Sequence, residues 1–451
     1  MWFVPIYLVI LASTIVIDYI AGIWIENADE RNKKNYLYIS LIANIGVLCV
    51  FKYYNFFIDN IIHLNGFLGF KNISIPHLSI LLPIGLSFHT FQAMSYTLEV
   101  YKGKQKAIKH FGVYSLYVMF FPQLVAGPIE RPQALFPQFH FNYKLNWENI
   151  SSGFRLILLG LFKKIVIADH LNPMVASVFD NPQNAFGISV YLGFVFFILQ
   201  VYCDFSGYSD MARGSAKLFG IELMENFKQP FFANSLTTFW AKWHISLMNW
   251  FRDYIMFPLV KKGYAWQFVF LLVFILSGFW HGASWTFVLW GIFNGLMVIY
   301  TKSTQKIRKE IIEKIGLGNA KTFRNIIQSI CVFHIFAFSG IFFRAKNISD
   351  AFLLIKNLFS GITNNFLSII NNTDNARESL LYLGQNPISF YLLLLFLVIL
   401  FVFDWLTNNI SIEAFFNKVR IELRYLIYII IIFVIILMSN VPQTDFVYFQ
   451  F

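Results

Sequence analysis

The chain has few charged residues. Only 13% of its 451 residues are Asp, Glu, Lys or Arg, whereas a soluble globular protein carries roughly 25%. A chain with so little charge lacks the polar surface that keeps a soluble fold in water. Hydrophobic residues reach 57% and aromatic residues 19%. Apolar helices with aromatic rings at the lipid–water interfaces account for this composition, so the sequence predicts an all-α polytopic membrane protein.

Cysteine is also scarce. Cys49, Cys203 and Cys331 lie within or at the end of apolar runs, and we interpret them as small buried hydrophobic side chains. An odd and scattered set argues against a disulfide framework or a thiolate metal site. None of the 9 histidines is spaced like a zinc-binding pair. We therefore predict no metal site and no bound cofactor.

Acidic residues are fewer than basic ones, which leaves a formal net charge of +11. In a soluble protein this excess would favour nucleic-acid binding. Here the basic residues lie in short breaks between apolar runs, such as residues 31–34, 102–109 and 302–324. Such breaks face the cytoplasm and contact anionic lipids. We predict membrane lipids as partners, no nucleic-acid partner, and a first helix that runs from outside to inside.

Apolar runs that approach the length of a membrane span, about 20 residues, recur along the chain. They predict about nine to eleven transmembrane helices with re-entrant and interfacial helices around a funnel or tunnel. The first run has no basic segment and no cleavage site, so we interpret it as a retained helix. The clearest candidate spans are residues 2–25, 36–58, 79–101, 188–203, 267–280, 285–300, 326–343, 388–406 and 425–439. Residues 154–171 are a further candidate despite Lys163 and Lys164, and residues 113–127 resemble a broken, re-entrant segment.

Polar side chains are concentrated between residues 200 and 282. Asp204 and Asp210 lie at the end of an apolar span, where ionisable groups usually face a cavity or a partner. A helix end that emerges into water, with Asp as its cap, is an equally good explanation. Farther along, residues 239–254 carry aromatic residues at helical spacing together with His244. This pattern favours a helix at the membrane interface.

His281 joins two apolar segments and is framed by Trp280 and Trp285, with the small residues Gly282 and Ala283 beside it. Small neighbours would let a substrate approach the imidazole closely, and apolar surroundings favour its neutral form. A general base needs that form. From position alone, an ordinary hydrogen-bonded histidine remains the commoner explanation.

Motifs along nearly the whole chain resemble the membrane-bound O-acyltransferase (MBOAT) family. In its front half they are LPIGLSF at 82–88, FQAMSY at 91–96 and GPIER at 127–131. They continue as DFSGYSDM at 204–211, ENF at 225–227, FW at 239–240, WHISL at 243–247, WFRDY at 250–254, GFWHGASW at 278–285 and YFQF at 448–451. The branch that the chain is most similar to comprises the bacterial alginate and peptidoglycan O-acetyltransferases.

The resemblance implies that His281, in the Trp-His-Gly motif, is catalytic and that His244 is a second functional histidine. It also implies substrate-binding or supporting roles for nearby motif residues: Asp204, Ser206, Tyr208, Trp243, Arg252, Asp253 and Trp280. The whole chain, 1–451, would form one MBOAT membrane domain. Its motif-bearing core would cover about residues 79–300, and its C-terminal helices residues 326–451.

The activity implied by the resemblance is transfer of an acetyl group from a cytoplasmic donor, acetyl-CoA, across the cell membrane. The acceptor would be an extracytoplasmic polysaccharide such as alginate or peptidoglycan, reached directly or through an extracytoplasmic SGNH-type acyltransferase. The chain departs from this branch at Ala241, where a basic residue is usual, and at residues 259–263, where a Gly-Gly-Asn-Arg turn is usual.

Two alternatives stand beside acetyl transfer. In the same class, the donor would be a carrier-protein thioester and the reaction D-alanyl transfer to teichoic acid. In another class, the chain would be a polysaccharide or lipid transporter. Transporters often have duplicated halves with paired broken helices, and we find no internal duplication in this sequence.

Overall fold

The computed structural model of the chain describes residues 6–69, 75–79, 83, 85–140, 143–144, 146–314, 316, 320–371, 377–440 and 446–447. Regular structure in these residues is helical, apart from one isolated antiparallel bridge between Phe227 and Trp243. The predicted all-α class is confirmed. Leu82, Ile84 and the C-terminal YFQF motif lie outside the described residues.

The chain divides into two compact units. The first consists of residues 1–153 and 212–224, and the second of residues 154–211 and 225–451. The interpretation of residues 1–451 as one domain stays a prediction. Both histidines singled out in the sequence belong to the second unit.

The described residues form 22 α-helices. In the N-terminal half they are α1 Ile6–Asn27, α2 Glu30–Leu48, α3 Tyr54–Phe67, α4 Leu86–Tyr101, α5 Phe111–Met119, α6 Phe121–Leu124, α7 Pro132–Leu135, α8 Trp147–Leu161, α9 Asp169–Phe179 and α10 Ile188–Leu218. In the C-terminal half they are α11 Leu236–Trp240, α12 Ile245–Phe251, α13 Phe257–Lys261, α14 Trp266–His281, α15 Trp285–Ser303, α16 Gln305–Lys314, α17 Lys321–Arg344, α18 Ile348–Leu358, α19 Ile362–Asn371, α20 Pro387–Thr407, α21 Ile412–Lys418 and α22 Ile421–Met438. Wider π-helical turns occupy Cys49–Tyr53, Phe162–Ala168, Arg252–Met256 and Arg377–Leu381, and 3₁₀ turns occupy Phe136–His140 and Pro230–Phe232.

Six helices of the described residues are long and apolar enough to cross a membrane, and each coincides with a predicted span. They are Tyr7–Asn27, Glu30–Phe67, Ile188–Leu218, Lys321–Arg344, Pro387–Thr407 and Ile421–Met438. The other three clear candidates fold as α4, α14 and α15. With 16 residues each, α4 and α14 extend about 24 Å, less than the ~30 Å of a bilayer core. A count of nine to eleven spans therefore stays a prediction.

Burial explains why these helices need a membrane. Helix α22 is apolar on every side, yet none of its residues is buried within the chain. Such a helix is stable only in an apolar surrounding such as lipid. In the first unit, a charged residue within α1 has polar partners: Asp18 is fully buried and accepts hydrogen bonds from Ser40 Oγ at 2.6 Å and Asn44 Nδ2 at 2.8 Å.

Two local expectations are tested by the structure. The broken segment at 113–127 is indeed interrupted, because α5 ends at Met119 and α6 begins at Phe121. The single interfacial helix predicted over residues 239–254 is wrong, because α11 ends at Trp240 and α12 begins only at Ile245.

Candidate active site

His281 is the last residue of α14 and lies at the tip of a helical hairpin formed by α14 and α15. Close packing of the two helices depends on glycine. A Cβ atom added to Gly278 would lie 2.2 Å from the carbonyl oxygen of Phe287, and one added to Gly291 would lie 2.4 Å from that of Phe274. Any side chain at these positions would push the helices apart and displace the tip.

The turn after His281 is equally tight. A Cβ atom on Gly282 would lie 2.0 Å from the Phe287 ring, so packing accounts for this glycine without reference to a substrate. The Ser284 side chain then caps α15 by accepting a hydrogen bond from the Thr286 N–H. Helix caps of this kind satisfy backbone donors that have no partner within the helix. Local contacts therefore fix the position of His281.

Aromatic side chains enclose the imidazole of His281. Its ring centroid lies 4.9 Å from Trp280, 5.3 Å from Trp290 and 5.1 Å from Phe343, each in an edge-to-face arrangement. The residue keeps 7% of its surface exposed. The predicted buried histidine in apolar surroundings is confirmed, and its catalytic role stays a prediction.

His244 occupies the break between α11 and α12. Its backbone adopts the left-handed conformation, with φ 46° and ψ 53°, which costs a residue other than glycine about 1–3 kcal/mol. Histidine tolerates this region better than most residues. Strained residues of this kind concentrate at functional sites because only the surrounding structure keeps them in place.

Asn226 holds the strained turn. Its carbonyl oxygen accepts a hydrogen bond from the Ile245 N–H at 2.9 Å, and its side-chain oxygen accepts one from the Ser246 N–H at 3.2 Å. The bridge between Phe227 and Trp243 continues this pairing. The first N–H groups of α12 are therefore bound by a segment distant in sequence, which is why the helical pattern at 239–254 does not produce one helix.

The two histidines have a common aromatic neighbour. Trp280 packs against His281, and its ring centroid lies 6.0 Å from that of His244. The His244 ring also packs edge-to-face with Phe205, with the centroids 4.6 Å apart. Burial lowers the pKa of the His244 imidazole to about 3, so this ring is neutral at physiological pH. Trp280 thus links the two predicted catalytic residues.

Asp204 lies within α10, not at its end, because the helix continues to Leu218. The cap interpretation is therefore wrong. The carboxylate is 1% exposed and pairs with Lys164, whose Nζ lies 2.8 Å from Asp204 Oδ1 and 2.9 Å from Asp169 Oδ1. It also accepts a hydrogen bond from the Val447 N–H at 2.7 Å. Asp204 thus holds the backbone of Val447 and neutralises a partly buried lysine.

A second ion pair lies on the same two elements. Lys163 Nζ is 2.8 Å from Asp210 Oδ2, and both side chains are largely buried. The two lysines that interrupted a candidate span in the sequence are thus each matched by a carboxylate of α10. Removal of one partner from such a buried pair typically costs about 3–5 kcal/mol.

The remaining predicted residues fall into two groups. Ser206, Tyr208 and Trp243 lie beside the buried site: Ser206 is 2% exposed, Tyr208 packs on Phe446 at 5.2 Å, and Trp243 stacks on Phe239 at 5.5 Å. Arg252 and Asp253 are partly exposed and pair with each other at 2.9 Å.

Arg252 also lines a cavity of about 240 Å³ that includes Trp240 and Ile245, the residue after His244. The described residues contain no cluster of three or more His, Cys, Asp or Glu side chains arranged to hold a metal.

Sequence reasoning missed several residues that shape the site. Asn226 was present in a motif, but nothing in the sequence indicated that it binds the turn at His244. Lys164 was noted only as an obstacle to a membrane span. Phe205 was present in the motif at residues 204–211, but nothing indicated that it contacts His244. Phe343 gave no signal, because a phenylalanine is unremarkable in a chain that contains 54 of them.

Comparisons with known proteins show what this chain is similar to. The chain is 32% identical over 420 residues to the peptidoglycan O-acetyltransferase of Helicobacter pylori, a match that covers 85% of this chain and 75% of the relative. It is 32% identical over 367 residues to the probable alginate O-acetylase of Pseudomonas aeruginosa, covering 80% of this chain and 67% of the relative.

A more distant relative is the teichoic acid D-alanyltransferase of Bacillus subtilis, which is 26% identical over 290 residues, or 58% of this chain and 69% of the relative. Residues 109–345, which include both histidines, match the sequence profile of MBOAT, the membrane-bound O-acyltransferase family. The chain therefore belongs to the membrane-bound O-acyltransferase family and is an acyltransferase.

Proposed function

We propose that the protein transfers an acetyl group from acetyl-CoA on the cytoplasmic side of the cytoplasmic (inner) membrane to an acceptor on the other side. The final product is an O-acetylated extracytoplasmic polysaccharide, such as peptidoglycan or alginate. The acetyl group passes either first to an SGNH-type acyltransferase outside the membrane or directly to the glycan. The enclosed imidazole of His281 at the hairpin tip is the observation that carries this proposal.

The chemistry requires a base for the acceptor. A neutral ring nitrogen of His281 takes the proton of the acceptor hydroxyl while the hydroxyl oxygen attacks the thioester carbonyl. The new C–O bond forms, the C–S bond breaks, and the thiolate leaves and takes up the proton from the imidazolium. A positioned base of this kind typically contributes about 10²–10⁴-fold to the rate.

The aromatic side chains around His281 have two roles in this mechanism. They stabilise the neutral imidazole, because an apolar environment disfavours the charged form. They also keep water from the thioester, which would otherwise hydrolyse. His244, neutral through burial, polarises the acyl carbonyl or holds the second substrate from the far side of Trp280.

Similarity favours acetyl transfer over D-alanyl transfer. The two relatives named for O-acetylation match at least 80% of this chain, whereas the D-alanyltransferase matches 58% at lower identity. Membership of an acyltransferase family also favours transfer chemistry over transport of a polysaccharide or lipid.

Mass spectrometry of the cell-wall or secreted polymer tests the proposal. Cells that express the wild-type chain should add acetyl groups to the polymer, and cells that express His281→Ala should add none while the variant inserts at normal levels. Addition of D-alanine in place of acetyl would reject the acetyl assignment. Normal acetylation by the His281→Ala variant would reject the catalytic role.

A further inference from the structure

Two lysines lie side by side at the end of the bridge that carries His244. The Lys228 N–H donates a hydrogen bond to the carbonyl oxygen of Lys242 at 3.0 Å, so the pairing brings two positive side chains onto adjacent segments. Partial burial and the nearby Lys228 charge lower the pKa of Lys242. Like charges placed this close repel each other unless an anion binds between them.

Among the described residues, neither ammonium group forms an ion pair with a carboxylate, in contrast to Lys163 and Lys164. Lys242 instead donates a hydrogen bond to the side-chain oxygen of Asn408 at 3.1 Å. The carbonyl end of α20 attracts one cation there, but it does not require a second lysine on the neighbouring segment.

The segment is held rigidly. Gln229, which follows Lys228, is a second residue in the left-handed conformation, with φ 42°. Its side-chain amide donates to Thr407 at the end of α20 at 3.5 Å. Strain of this kind persists only where other contacts impose it. These contacts therefore hold the backbone next to Lys228 in place.

A cavity of about 530 Å³ adjoins the lysine pair. Asn408, the partner of Lys242, lines it together with Phe232 and Trp405, and Asn325 and Ser329 supply polar groups. Its volume falls within the usual range for small-molecule sites, roughly 300–1,000 Å³. An apolar wall with a few amide and hydroxyl groups suits a flexible chain that carries amide bonds.

These observations point to one ligand chemistry. We propose that Lys228 and Lys242 bind the phosphate groups of a soluble, diphosphate-containing thioester donor, and that the adjoining cavity holds the donor's flexible arm. This inference rests on the proposed function. Lysine is a common phosphate ligand in proteins, and Lys242 precedes His244 by only two residues, so donor binding and acyl transfer involve the same segment.

Equilibrium binding to the purified full-length protein in a neutral detergent tests the site. The probes are coenzyme A and pantetheine, which shares the arm but lacks the phosphates. Lys228→Gln and Lys242→Gln should each weaken coenzyme A binding about tenfold, the loss expected for one charge-assisted hydrogen bond, and leave pantetheine binding unchanged. Lys242→Arg, which keeps the charge, should largely retain affinity.

Lys346→Gln is the matched control. Lys346 belongs to the same unit and is exposed, but its Nζ lies 3.1 Å from Asp180 Oδ1, so its removal should leave coenzyme A binding within twofold of wild type. Unchanged coenzyme A affinity in both glutamine variants would overturn the proposal. The proposal would also be overturned if the two glutamine variants lost binding to phosphatidylglycerol nanodiscs but kept their affinity for coenzyme A. That result would assign the lysines to a lipid headgroup.

The test separates this inference from the proposed function. Lysine-dependent coenzyme A binding without any acetyl transfer would retain the phosphate site and reject the acetyl-CoA reaction. Acetyl transfer that depends on His281, with an unchanged KM for acetyl-CoA in both glutamine variants, would retain the reaction and reject the phosphate site.

Discussion

His281 and His244 are both buried next to Trp280, but different kinds of contact position them. His281 lies at the tip of a hairpin whose geometry comes from Gly278, Gly282 and Gly291 within the same stretch of chain. His244 lies in a strained turn that a distant segment holds through Asn226. A local hairpin gives a rigid position, whereas a strained turn places a side chain where no regular helix would.

From this difference in position we expect a division of roles between the two histidines. The rigid hairpin suits the base, which must meet the acceptor hydroxyl within hydrogen-bond distance. The strained turn, which lies near the lysine pair on the same bridge, suits a residue that orients the donor. The following experiments test this division, in order of decreasing expected effect.

Alanine substitution of each histidine should give the largest contrast. His281→Ala should lower the rate of acetyl-CoA cleavage in proteoliposomes by at least about 100-fold, because a general base is lost. His244→Ala should lower it about tenfold, because one hydrogen-bonding group is lost. Equal losses at both positions would contradict the division, and full turnover by the His244 variant would make that residue purely structural.

Overpacking of the hairpin tip should have the next largest effect on acetyl-CoA cleavage. Gly282→Ala places a methyl group in contact with the Phe287 ring, a change that typically costs about 1–3 kcal/mol. We expect acetyl-CoA cleavage to fall about tenfold and to recover in part in Gly282→Ala/Phe287→Leu. Gly46→Ala is the control, because no atom lies within 4 Å of the added Cβ. Absence of recovery in the double variant would show that the ring is not the obstacle.

Loss of the Asn226 side chain should have a smaller effect that depends on His244. Asn226→Ala removes the acceptor for the Ser246 N–H, and an unsatisfied buried donor costs about 1–3 kcal/mol. Cleavage should fall severalfold in the wild-type background and hardly at all in a His244→Ala background. Equal losses in both backgrounds would mean that Asn226 acts elsewhere.

The smallest effect concerns backbone strain alone. Glycine adopts φ 46° without penalty, whereas alanine does not. His244→Gly should therefore be more stable than His244→Ala by about 1 kcal/mol, measured as a higher midpoint of thermal unfolding in detergent. A lower midpoint for the glycine variant would contradict the strain at this position.

The sequence predicted more of the hairpin than of the turn. Apolar runs on both sides of residues 278–285 are each helical, and the burial of His281 follows from its apolar neighbours. His244 was placed correctly as a residue near the site, but its surroundings were not. The pattern at residues 239–254 reports local periodicity only, whereas the contact with Asn226 joins residues far apart in sequence.

The same limit applies to the charges in α10. Asp204 and Asp210 were recognised as unusual, but their partners, Lys164 and Lys163, lie 40 and 47 residues earlier in the chain. Periodicity carries no information about such pairs. Ionisable residues inside an apolar run are thus best treated as half of a pair whose other half must be sought elsewhere in the chain.

The two ion pairs also constrain how the protein reaches its place in the bilayer during synthesis. Each isolated Lys or Asp at the centre of a membrane helix costs about 2.5–3.5 kcal/mol on insertion. Lys164 meets a carboxylate of its own segment, Asp169, whereas Lys163 has its carboxylate, Asp210, only on α10. The ribosome completes α10 later, so Lys163 in the predicted span at residues 154–171 has no partner until then. We expect the two segments to leave the translocon together and not one after the other.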